Sequence, residues 1–236
     1  MIKYVLFDLD GTLLPMDQDL FVKAYFKELS KRICPLGYTP EALVQAVWHG
    51  MKQMLQNDGS RTNEAVFWDA FCQACGEGIL QHKPVFDDFY RTDFNKVQAV
   101  CGFTPLAQET VRLIRDSGVS TVVATLPVFP LSAIEARLRW ASVDPALMQY
   151  ITCYEDCCFT KPNPAFYREV LEKLGAAPEE CLMVGNSVEE DMVAAQEGLS
   201  VFLLTDCLIN EHHADISIYP HGTFEDLQAY WRTHLP

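Results

Sequence analysis

Apolar and polar positions follow two different rhythms along this chain. Ile2 to Phe7 is a short apolar run, broken only at Lys3, with β-branched and aromatic content, which predicts a buried strand. From Met16 to about Asn95 apolar residues recur at helical spacing instead. Leu20, Ala24, Tyr25 and Leu29 form one stripe, ending near Cys34-Pro35. Glu41 to Leu55 forms a second, Asn63 to Cys75 a third, and Pro84 to about Phe94 a shorter fourth. Phe21, Tyr25, Trp48 and Trp68 are expected in the core of the helical segment.

After Cys101 short strands and helices alternate. Strands are predicted at Ser120 to Ala124, Tyr150 to Cys153, Cys181 to Val184 and Ser200 to Leu204. Around them come helices at Pro105 to Asp116, Pro130 to Trp140, Pro164 to Gly175, Val188 to Glu197 and Thr223 to Arg232. Such alternation implies right-handed crossovers and a parallel sheet covered on both faces. The expected fold is therefore α/β, a Rossmann-like parallel sheet with helices on both faces, interrupted by an all-helical insertion. Residues 1–14 and 101–236 would form the α/β core and residues 15–100 an α-helical cap domain.

Composition narrows the function. The 236 residues are 49% apolar and 21% charged, as in soluble globular proteins. A net charge of -14 argues against nucleic acid and anionic membrane as partners. The apolar start is interrupted at Asp8, so no signal peptide is expected, and no run is long enough to span a bilayer. Nine scattered cysteines fit a reducing cytoplasm. Cys72-x-x-Cys75 lies within a helical pattern and lacks partners at zinc spacing, so it reads as core thiols.

Candidate chemistry concentrates where the first strand ends. Residues i and i+2 of an extended chain point to the same side, so Asp8 and Asp10 can face one small volume. Gly11 allows a sharp turn directly after them. The string DLDGT, residues 8 to 12, resembles the first motif of the haloacid dehalogenase superfamily, whose members are mostly phosphatases. The resemblance extends to three further places, each just past a predicted strand. VVATLP supplies Thr125, with Leu126 where relatives often carry Asn. FTKPNPAFY supplies Lys161. MVGNSVEED supplies Asp191, with Asn186 and Ser187 where acids are expected.

The resemblance implies a mechanism and an organisation. Asp8 would be the nucleophile, Asp10 the general acid and base, and Lys161 the cation that offsets phosphoryl charge. Thr125, Leu126, Gly11 and Thr12 would contact the substrate phosphate. Asp8, the Asp10 carbonyl, Asn186 and Asp191 would hold Mg²⁺, with weaker affinity than a full set of acids. About 110 residues separate Asp10 from the second motif and only about 35 separate Thr125 from Lys161. That places the cap after the first motif. The expected activity is Mg²⁺-dependent hydrolysis of a small phosphorylated metabolite through an aspartyl-phosphate. The competing readings are a dehalogenase, a phosphonatase using Lys23, Lys27 or Lys31, a phosphosugar mutase, and a weak or inactive binding protein motivated by Leu126, Asn186 and Ser187.

Overall fold

The computed structural model describes residues 1–234, so positions 235 and 236 of the expected core lie outside the described residues. Among the described residues six strands form one parallel sheet: β1 (Tyr4–Phe7), β2 (Ser120–Val123), β3 (Met148–Ile151), β4 (Cys181–Gly185), β5 (Ser200–Leu204) and β6 (His221–Gly222). Their order is β3-β2-β1-β4-β5-β6. The chain builds outward from β1 to one side, then returns to β4 and builds to the other. The boundary between β1 and β4 is the switch point, outside whose carboxyl ends open α/β sheets hold their ligands.

The strand sequences YVLF, STVV, CLMVG and SVFLL are almost wholly apolar because both sheet faces are covered. Successive side chains on β1 divide between two cores. Val5 and Phe7 pack with α5 (Pro105–Asp116), α6 (Leu131–Trp140) and α8 (Phe224–His234). Leu6 packs on the other face with α7 (Pro164–Leu174) and the 3-10 turn Met192–Glu197. The registers Leu6↔Val122 and Leu6↔Met183 keep the ends of β1, β2 and β4 level.

Between β1 and α5 the chain is helical, as its periodicity predicts: α1 (Gln18–Ile33), α2 (Pro40–Leu55), α3 (Asn63–Cys75) and α4 (Lys83–Arg91). Asp17, Thr39 and Thr62 each cap a helix by accepting a backbone N–H of its first turn. The two linkers to this segment lie side by side, with Met16 bridged to Cys101 and the Gly102 amide donating to the Pro15 carbonyl at 2.7 Å. A Cβ on Gly102 would sit 3.0 Å from the Pro15 ring, so the close crossing favours glycine there.

Aromatic rings join the helical segment to the core. Phe21 of α1 meets Phe129 edge-on at 6.2 Å, and Phe94 meets Trp140 of α6 at 5.1 Å. A polar bolt lies beside them. Asn63, fully buried at the start of α3, donates to the carbonyls of Pro127 (3.2 Å) and Phe159 (3.3 Å) and accepts from Asn57 (2.8 Å). Asn63→Ala is expected to cost about 1–3 kcal/mol, because those groups lose their partner in a dry setting. Urea unfolding of the variant checks this.

Two predicted helices differ, and one strand was not predicted. The helix expected over Val188 to Glu197 is a turn followed by the short 3-10 stretch, because the Asp191 carboxylate takes the Ser187 amide (2.9 Å) and closes a tight loop. The fourth helix stops at Arg91, and Asp93–Val100 continues as 3-10 turns. β6 is two residues long, too short for a periodic signal. No described helix is long and apolar enough to cross a membrane, and all nine cysteines are free.

Candidate active site

Asp8 follows β1 directly, its amide donating to Val184 O at 2.9 Å, so β4 fixes where it stands. Lys161, at the entrance to α7, is fully buried. Its ammonium donates to Asp8 Oδ1 at 2.9 Å and to Asp191 Oδ1 at 2.5 Å. Burial works against the Lys161 charge, but Asp191 and Asp8 overcome it and hold the ammonium well above its ordinary range. Asp191 is itself raised above the usual aspartate range by burial, which Lys161 only partly offsets. Its second oxygen takes the Ser187 amide, so both are engaged by protein. Asp8 Oδ2 has no protein hydrogen bond among the described residues.

Thr125 lies two residues past β2 and is held in line with the strand by Ala124 N donating to Phe7 O (2.8 Å) and Thr152 Oγ1 donating to Thr125 O (2.8 Å). The Thr125 side chain lines the same cavity as Asp8, Asp10, Leu126, Asn186 and Asp191. Six sequence-predicted residues are thus brought to one volume at the switch point. Gly11 and Thr12 serve the loop instead of facing the cavity. Gly11 has φ +89°, and a Cβ there would lie 2.5 Å from Asn186 Nδ2. The buried Thr12 hydroxyl donates to Asn186 Oδ1 at 2.9 Å.

The same contacts explain Asn186. Its amide nitrogen donates to Cys207 O at 2.7 Å, tying the loop after β5 to the loop after β1. A carboxylate at this position would confront that carbonyl with a second acceptor. Among the described residues no three His, Cys, Asp or Glu side chains converge as a metal cage. The oxygens that could still hold a hard cation are Asp8 Oδ2, the Asp10 carbonyl and the second lone pair of Asn186 Oδ1. Magnesium takes such oxygens and keeps several waters, so this donor set fits it.

Arg137 is the main residue that the motif search misses. It is fully buried on α6, stacks 4.5 Å from the Phe129 ring centre, and its Nη1 pairs with Asp10 Oδ2. The signal was present: Ile134, Arg137, Leu138 and Ala141 make one i, i+3, i+4, i+7 stripe, and an arginine inside an apolar stripe implies a buried acidic partner. Burial raises Asp10 above the ordinary carboxylate range, and Arg137 pulls it back. Asp10 Oδ1 stays buried without a partner among the described residues. Arg137→Met is expected to move the Asp10 limb of a pH–rate profile to higher pH and to lower kcat by roughly 10–100-fold, with Arg137→Lys restoring part of both.

Glu155 does not face the reacting groups; both its oxygens cap α6 through the Leu131 amide. Glu189 is held by His212, whose amide donates to it at 3.1 Å. Lys23, Lys27 and Lys31 are exposed and none lines the cavity. Phe21, Tyr25 and Trp68 are buried as expected, yet they also form the cavity wall, and Trp48, expected inside, is 42% exposed.

Comparison with known proteins agrees with this geometry. The family model for haloacid dehalogenase-like hydrolases matches residues 2–198. A phosphoglycolate phosphatase of Vibrio vulnificus is 26% identical over 204 residues, 86% of this chain and 84% of that protein. The pyrophosphatase PpaX of Bacillus cereus is 25% identical over 196 residues, 83% and 79% of the two chains. The structure of CbbY from Rhodobacter sphaeroides in complex with phosphate superposes with a TM-score of 0.59 at 19% identity, covering 96% of each chain, and shares the fold. The match over most of its length places this chain among the haloacid dehalogenase-like hydrolases.

Proposed function

We propose that the chain is a Mg²⁺-dependent phosphatase that hydrolyses a small phosphate monoester through an aspartyl-phosphate on Asp8. The observation that carries this reading is the pairing of Asp8, one oxygen free and the other 2.9 Å from the buried Lys161 ammonium, with Asp10 two residues on in the same cavity. The curated relatives, named for phosphoglycolate and pyrophosphate hydrolysis, support the reaction class.

Asp8 attacks phosphorus and the bond to the ester oxygen breaks. The departing alkoxide takes its proton from Asp10. Asp10 then accepts a proton from water as that water attacks the phosphoryl group, and the bond to Asp8 breaks to release phosphate. Lys161 offsets the charge gathering on the phosphoryl oxygens, and the Thr125 hydroxyl orients them. Mg²⁺ would be held by Asp8, the Asp10 carbonyl and Asn186, with Asp191 behind Lys161, and would neutralise phosphoryl charge. Residues 15–100 act as the cap that excludes water.

An acid at position 10 favours this reading over dehalogenation, in which halide leaves without a proton. The lack of a cavity lysine among the described residues disfavours a Schiff-base phosphonatase. Turnover of 4-nitrophenyl phosphate with and without Mg²⁺ tests the proposal. Metal-dependent turnover supports it; no turnover together with no Mg²⁺ binding by calorimetry favours the inactive binding protein.

A further inference from the structure

The cavity that holds Asp8 and Asp10 extends between α1, α2 and α3 for about 320 Å³. Its far walls are aromatic and aliphatic, including Phe26, Trp48, Met51, Phe67, Trp68 and Phe86. Among the described residues no lysine, arginine or histidine lines it. The two buried cations nearby are fully enclosed and do not line the cavity: Lys161 is paired with Asp8 and Asp191, and Arg137 with Asp10 through Nη1, its Nη2 buried without a partner among the described residues. The charged groups that do line it beyond the catalytic pair and Asp191 are acids: Glu189, Glu190 and Glu211.

A substrate with a second anionic group would bury that charge against aromatic rings, with no cation in the lining and with carboxylates among it. An apolar group in the same place would exchange water for rings and thioethers at no such cost. Resting on the phosphatase reading, we propose that this cavity selects an uncharged, predominantly apolar leaving group, an alkyl or aryl monophosphate, and discriminates against monophosphates bearing a second charge.

Steady-state hydrolysis with Mg²⁺ compares hexyl phosphate with phosphoglycolate, pyrophosphate and phosphocholine. Hexanol leaves no more readily than glycolate, so leaving-group chemistry does not favour the proposal. The expected kcat/KM for hexyl phosphate exceeds that of each charged substrate by at least about 100-fold. A preference for phosphoglycolate or pyrophosphate overturns the proposal, and so does a preference for phosphocholine, which would mark an aromatic cage for a cation.

Calorimetry with hexylphosphonate and phosphonoacetate separates this inference from the reaction itself. If nothing is hydrolysed the phosphatase reading fails, while tighter binding of hexylphosphonate still supports the apolar cavity and tighter phosphonoacetate overturns it. Met51→Lys places an ammonium in the half-buried wall of the cavity and is expected to shift the ratio of the two affinities toward phosphonoacetate by about tenfold or more. An unchanged ratio in a folded variant would contradict the assigned binding volume.

Discussion

Asp8→Asn is expected to abolish turnover of any phosphate monoester, by about 10⁴-fold or more, while leaving the protein folded. The amide keeps the size of the carboxylate and still offers an oxygen to Lys161, whose stronger contact is with Asp191 at 2.5 Å. What disappears is the nucleophile. Asp8 also raises the neighbouring Asp10 and Asp191 through its charge. Removing that charge lets an anion approach more easily, so phosphate binding should persist or tighten as kcat collapses. Calorimetry with inorganic phosphate, beside a thermal melt, checks the combination. A variant that retains more than a few per cent of turnover would remove Asp8 from the mechanism.

Lys161→Met is expected to damage both stability and activity. Removing one partner of a buried ionic group costs about 3–5 kcal/mol, because the surviving charges lose their compensation. Here the survivors are Asp8 and Asp191, the latter almost completely buried. The pH dependence follows from Asp191. Its native pKa already stands above the unfolded value, and Lys161 is what pulls it down. Without Lys161 it rises further, so the folded variant binds a proton that the unfolded chain has released. Stability is then retained below the ordinary aspartate range and lost as pH rises toward and beyond neutrality. Urea unfolding at mildly acidic and mildly alkaline pH should show the larger deficit at alkaline pH. At the acidic end, where the variant folds, kcat should remain roughly 10²–10³-fold low, since the cation facing the phosphoryl group is gone.

Much of this site is local in sequence, and local features are legible. The run ending in Asp8, Asp10 and Gly11 fixes a strand, two same-side acids and a turn. The strand ends before Thr125 and Asn186 follow from apolar runs that both faces of a parallel sheet require. Features that depend on side chains meeting across the fold are less legible. Arg137 lies 127 residues from Asp10, and only its place in an apolar stripe hinted at a buried partner. Asn63 looks like an ordinary first residue of a capped helix until the carbonyls of Pro127 and Phe159 arrive beside it. The turn over residues 188–191 reads as helix because its composition suits one, and the competing bond from the Ser187 amide to Asp191 is a tertiary consequence of where Lys161 holds that carboxylate. Asn186 reads as a damaged metal ligand in sequence, whereas the Cys207 carbonyl gives its amide nitrogen a purpose. The aromatic residues of α1, α2 and α3 read as core by residue type, and helical periodicity does not distinguish a packed core from the wall of a cavity.

The central claim is covalent transfer of phosphoryl to Asp8, and rapid-quench mass spectrometry of the protein mixed with 4-nitrophenyl phosphate and Mg²⁺ tests it most directly. A phosphoryl adduct on the peptide containing Asp8, forming and decaying at rates that account for turnover, is the predicted result. Steady turnover without an adduct, or an adduct on another residue, would contradict it.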